Sequence, residues 1–260
     1  MARCLECGGR GKPDGCPTCG KHLDVSTMPT QEAKKVKEKY IKKCMYASIP
    51  NEYIGVTWNK DYLLGSHPER ANDIVFKDAV DNMDILHRKF YTGEVPKKSA
   101  IIMAPAKYSK TILAYSCMQH ALKHNYTVAP LIDTLDLKRL IRLSSEDPNY
   151  KLFGYIKYDD YITSQVVFIT VTETDQFSSA MTEIRAILSK RSRLGLSTFI
   201  LSKFDYRDMS QDCVDKDYHS LEDFEGLEND LKYPALISCL TGRNKLWEFQ
   251  DSSITELRRN

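Results

Sequence analysis

Residues 99–113, SAIIMAPAKYSKTIL, constrain this chain more than any other stretch. A short apolar run, Ala100 to Met103, reads as a buried strand. A tight loop follows, and Lys110-Thr111 open an apolar-periodic helix through Ala114, Tyr115, Met118, Ala121 and Leu122. Strand, loop, Lys-Thr and helix is the layout of a phosphate-binding loop. In such a loop the backbone N–H groups and the helix N-terminus cradle phosphates, the Lys reaches the outer phosphates and the Thr hydroxyl ligates Mg²⁺. Measured against G-x-x-x-x-G-K-[ST], Ala104 and Ser109 stand where the glycines belong. A Cβ where φ must be positive costs roughly 1 kcal/mol or more. The pattern therefore predicts an anion site built on Ala104, Ser109, Lys110 and Thr111, with strain at the lost glycines. The competing reading is an ordinary strand-to-helix turn with a surface lysine.

The N-terminus carries the sharpest local signal. Cys4-Leu5-Glu6-Cys7 and Cys16-Pro17-Thr18-Cys19 are two C-x-x-C pairs separated by a glycine-rich turn. Each pair sets two thiolates on one knuckle, and two knuckles complete a tetrahedral Zn²⁺ site. Four thiolates leave no open coordination position, so the expected zinc is structural and supplies much of the segment's folding free energy. A redox or unligated cluster is the alternative. Cys44, Cys117, Cys213 and Cys239 are scattered and read as core thiols.

The division expected is 1–30 for the zinc knuckle and linker and 31–260 for the main domain, with a helical lead-in over 31–98. Gln31 to Met45 is an amphipathic helix lined with lysines, either a solvated face or a contact for a phosphate backbone. Asp73 to Tyr91 is a second lead-in helix, after a variable loop. Beyond the Lys-Thr helix come a strand at Tyr126 to Ile132, a helix at Leu135 to Leu143, and a tyrosine-rich helical segment at 149–164. Strands at Val166 to Val171, Leu196 to Ser202 and Ala235 to Leu240 follow, with a long helix, Phe177 to Leu194, after the first of them. Nearly continuous apolar strands alternating with helices predict an α/β fold: a parallel five-stranded sheet with helices on both faces. That helix ends in the basic run Lys190, Arg191 and Arg193. With Tyr155 and Tyr158 these residues suit backbone contact plus base stacking, or else form a solvated helix end.

No apolar run reaches membrane-spanning length, and no signal-peptide core is visible at the N-terminus, so an intracellular, cytoplasmic location and no membrane partner are expected. The formal net charge of +2 names no partner by itself.

In the order and spacing of these elements, over about residues 48–247, the chain resembles the helicase-loader ATPases of the DnaC/DnaI type and their IstB-like relatives within the AAA+ class. The carriers are Ile49-Pro-x-x-Tyr53, the A-P-A-K-Y-S-K-T loop continued by Leu113-Ala114, and strand 166–171. The remaining carriers are Arg191 near a helix end, L-S-T-F-I-L-S at 196–202, and the closing strand with Gly242-Arg243. The zinc knuckle also looks like that of loaders in which such a domain engages the helicase. The resemblance implies a P-loop (AAA+) sheet and ATP or ADP with Mg²⁺ at Lys110 and Thr111, with Arg243 contacting phosphate and Lys245 as a second sensor. The implied partners are a replicative hexameric helicase, single-stranded DNA and sister subunits.

The departures fall on catalytic positions. Where the family ends its third strand in Asp-Glu, this chain has Thr170 and Val171, with Glu173 and Asp175 as the nearest substitutes. A sensor Asn is replaced by Lys203, and no Arg stands near Asn229-Asp230 to complete a neighbour's site. Charge stabilisation by metal and positioned donors carries most of phosphoryl transfer. The expectation is a degenerate member from a phage or mobile element that can hold nucleotide and hydrolyses it weakly or not at all. The alternatives are an active ATPase loader using Glu173 or Asp175, and an IstB-like transposition regulator.

Overall fold

A computed structural model of the chain describes residues 30–171, 174–203, 230–232 and 234–240, without the side chains of 30–33 and 174–183. Three helices form the lead-in: α1 (Thr30–Tyr46), α2 (Lys60–Ser66) and α3 (Ile74–Tyr91). Next come β1 (Ala100–Met103), α4 (Lys110–Lys123), β2 (Ile132–Asp133), α5 (Thr134–Glu146), α6 (Tyr158–Thr163) and β3 (Val167–Val171). The described chain closes with α7 (Thr174–Arg193), β4 (Thr198–Ser202) and β5 (Ala235–Ser238). Local chemistry sets several of these starts. The carboxylate of Asp73 accepts from the N–H of Phe76 to cap α3, Asn59 accepts from Tyr62 to cap α2, and Asp133 accepts from Asp136 to cap α5.

The strands form one sheet in the order β2-β3-β4-β1-β5, and every pairing is parallel. β1 lies between β4 and β5, with Ile101 level with both Ile200 and Leu236. Side chains alternate across the pleat, so each strand feeds two cores. Ala100, Ile102, Phe168, Phe199 and Ile237 pack under α3 and α4, where Phe168 and Phe199 stack at 4.8 Å and Phe90 meets Phe199 edge-on. Ile101, Met103, Ile169, Ile200 and Leu236 pack on the other face against Leu137, Leu140, Ile187 and Leu188 of α5 and α7. Burial on both faces explains why these strands read as unbroken apolar runs.

Three expectations change. The strand expected at Tyr126 to Ile132 is only Ile132–Asp133, preceded by an isolated bridge between Val128 and Val166. Pro130 has no N–H to give a ladder, and its carbonyl accepts instead from the Tyr161 hydroxyl. Segment 149–164 is not a single helix. A tight turn at Phe153 and Gly154, both with positive φ, joins Leu152 to Ile156 before α6 begins. The loop after Trp58 contains α2, whose Asn59 cap and buried Leu63 were the available signal. The zinc knuckle, Cys213, the acidic stretch at 205–229 and the chain after 240 lie outside the described residues. Among those described, no helix is long and apolar enough to cross a membrane, and no cluster of His, Cys, Asp and Glu could hold a metal.

Candidate phosphate-binding site

In chain order β1 is followed by β2, at one edge of the sheet, whereas its neighbour β4 is followed by β5, on the opposite side of β1. Adjacent strands whose connections diverge leave a crevice at their carboxyl ends, the place where ligands bind in open parallel sheets. The loop 104–109 sits there, between the end of β1 and the first turn of α4.

The two lost glycines have different consequences. Ser109 has φ 56° and ψ 18°, in the left-handed region, directly before α4. Lys107 also has a positive φ, 71°. The strain expected at the second glycine position is present at Ser109. At Ala104 it is absent: φ is not positive there, and the Ala104 N–H continues the β1–β4 ladder by donating to the Ser202 carbonyl at 3.0 Å. Ala104 is fully buried, so its methyl group belongs to the core.

Lys110 does not reach into bulk water. Its ammonium turns back over the loop and donates to the carbonyl oxygens of Ala104 and Pro105, the latter at 2.7 Å. Burial lowers its pKa from 10.5 to about 8. Burial pushes the Cys239 thiol up to about 12, so it stays neutral. Thr111 is exposed one residue further on, at the mouth of the crevice.

Sequence reasoning missed the residues that brace this loop from outside. Tyr108, at the loop tip, stacks on His67 at 4.2 Å and accepts from Arg70 Nη1 at 3.2 Å. Arg70 also donates through Nε to Asp73 at 2.8 Å and through Nη2 to the Cys239 carbonyl at 2.8 Å, with its guanidinium over the Phe76 ring. The Arg70 guanidinium holds the Asp73 carboxyl below the usual carboxylate range. The available signal was a basic residue three positions before a helix cap, a spacing common to many unrelated helix starts.

Among the described residues, carboxylates are sparse at this edge. β3 ends in Thr170 and Val171 and β4 in Ser202, followed by the exposed Lys203. Asp133 ends β2 three strands from β1, about 14 Å away at about 4.8 Å per strand, and already caps α5. Glu173, Arg243 and Lys245 lie outside the described residues, as does the side chain of Asp175.

The basic end of α7 divides. Lys190 and Arg193 are exposed, and Lys190 lies over the Tyr158 ring and donates to its hydroxyl. Arg191, expected on the nucleic-acid surface, is instead fully buried. Its guanidinium donates to Thr198 Oγ1 and to the carbonyls of Tyr161, Ser164 and Ser197 at 2.6–3.0 Å. It joins α7 to the ends of α6 and the start of β4 and is not available to a phosphate.

No protein-family model matches the chain, and a search of curated proteins returned no match. The fold and loop define an α/β domain with an all-parallel five-stranded sheet, compatible with the phosphate-loop class.

Proposed function

We propose that this chain is a degenerate phosphate-loop protein of the helicase-loader kind. In this reading it is an adaptor that binds a replicative helicase and single-stranded DNA, and it holds ATP or ADP with little or no hydrolysis. The observation that carries the nucleotide part is the inward-turned Lys110 at the carboxyl end of β1, beside a left-handed Ser109 and the first N–H groups of α4. An arriving phosphate exchanges the two loop carbonyls for an anionic partner of the same amine, a stronger contact because donor and acceptor are then both charged. Among the described residues no carboxylate ends β3 or β4, which supports binding without efficient turnover, because a hydrolytic site needs a metal carboxylate and a group that orients water. The adaptor part rests on the resemblance and on the paired cysteines, Cys4, Cys7, Cys16 and Cys19, which in this reading hold one structural Zn²⁺.

Four measurements test this reading. Fluorescent ADP should bind the wild-type chain and not Lys110→Ala. Steady-state turnover should be at background in both, and turnover abolished by Lys110→Ala would make the chain an active ATPase instead. Replicative helicase should be captured by the full chain and lost on deletion of residues 1–45. Capture by neither form would sink the adaptor reading. Purified protein should carry about one zinc per chain, released when Cys4 and Cys7 are changed to Ser.

A further inference from the structure

With Arg191 buried, the basic end of α7 keeps only two exposed cations, whereas α1 carries six lysines against one glutamate between residues 34 and 46. α1 leans on the C-terminal end of α4 and leaves an open groove of about 730 Å³. Lys39, Lys43 and Lys123 line this groove together with Tyr40 and Tyr91, and among the described residues no Asp or Glu side chain does. His120 also faces it, but burial drives its pKa to about 2 and keeps the ring neutral. Lys123 stands over the Tyr40 ring at 5.6 Å, while Lys43 donates to Asn125 Oδ1 at 2.8 Å and to the Leu122 carbonyl. Lys43, Leu122 and Asn125 also border a second depression of about 660 Å³, which continues past Tyr46, Tyr126 and Tyr155. Tyr46 is 81% exposed and Tyr155 50% exposed. The one acid there, Asp160, already accepts from the Lys157 N–H at 2.9 Å.

We propose that single-stranded nucleic acid binds along this pair of depressions, its phosphates tracking Lys39, Lys43 and Lys123 and a base stacking on Tyr46. The inference rests on the DNA contact proposed above and gives it a place. A groove lined by lysines and, among the described residues, by no acids, leading to the exposed Tyr46 and Tyr155, meets both demands of an unpaired strand. It offers charge for the backbone and sequence-tolerant platforms for the bases. The groove lies at the far end of α4 from Lys110, about 20 Å away at 1.5 Å per residue. Strand binding and nucleotide binding are therefore separate properties of the chain.

The test is fluorescence anisotropy of a labelled oligothymidylate over a series of salt concentrations, with the full chain and with variants whose circular dichroism matches wild type. Lys39→Gln/Lys123→Gln should weaken binding tenfold or more and flatten the log–log salt slope by about 0.7 per lysine removed. Tyr46→Ala should weaken binding about fivefold or more with the slope unchanged. Arg193→Gln should bind as wild type does. Unchanged affinity in the double lysine variant overturns the proposal, even where that variant loses capture of a protein partner. So does loss of binding in Arg193→Gln alone. A wild-type chain that binds no oligonucleotide overturns this proposal and the DNA part of the functional reading together, whereas a wild-type chain that binds with an indifferent groove leaves that reading standing.

Discussion

Arg70 donates to the carbonyl oxygen of Cys239 at 2.8 Å across 169 residues of sequence, joining the lead-in segment to the end of β5. Together with its contacts to Tyr108 and Asp73, this makes one guanidinium the clasp that holds the 104–109 loop against the sheet edge. Arg70→Ala should lower stability by about 2 kcal/mol, the scale for charge-assisted hydrogen bonds left without their donor. It should also weaken ADP binding while Lys110 is intact. Arg70→Lys should recover little, since an ammonium lacks the planar fork that serves three acceptors. Urea denaturation and ADP titration read the two effects separately.

The two missing glycines should respond with opposite signs. Ser109→Gly relieves a left-handed residue and should raise stability by about 0.5–1 kcal/mol, net of the freedom glycine adds to the unfolded chain. Ala104→Gly removes a buried methyl group at a residue with ordinary φ and should lower stability by about 1 kcal/mol or more. Shifts in urea midpoint at constant m-value measure both.

Lys110 ties pH to stability and to binding in opposite directions. Its folded pKa is about 8 and its ordinary value 10.5. Between those values the unfolded state holds the extra proton, so this group makes folding more favourable as pH rises from about 8 toward 10.5, and its unfavourable contribution is fully present below 8. A bound phosphate instead requires the charged amine. ADP affinity should fall as pH rises through about 8 in the wild type, and Lys110→Ala should show no such step. A wild-type profile that stays flat to about pH 9.5 would show that this amine does not meet the anion.

Arg191 and Arg193 are two residues apart and should behave as different kinds of residue. Arg191→Leu leaves the carbonyls of Tyr161, Ser164 and Ser197 without donors and should cost about 3–5 kcal/mol. Arg193→Ala, on the surface, should stay within about 0.5 kcal/mol of wild type. Thermal denaturation distinguishes them. Equal small effects would mean that the Arg191 guanidinium is solvated.

What the sequence determined by itself was the succession of elements and the chemistry carried at their ends. Runs such as Ala100 to Met103 and Val167 to Val171 can satisfy burial on two faces only within a covered parallel sheet, and the Lys110-Thr111 helix start and the Asp73 cap are local patterns of few residues. Tertiary structure alone decided that β1 lies between β4 and β5, that Arg191 faces inward and Arg193 outward, that Arg70 reaches Cys239, and that α1 and α4 enclose a basic groove. The physical reason is that a charged side chain is buried or exposed according to acceptors supplied by other segments. Periodicity along one helix records which face is apolar, but not whether three distant carbonyls converge on the guanidinium beside it.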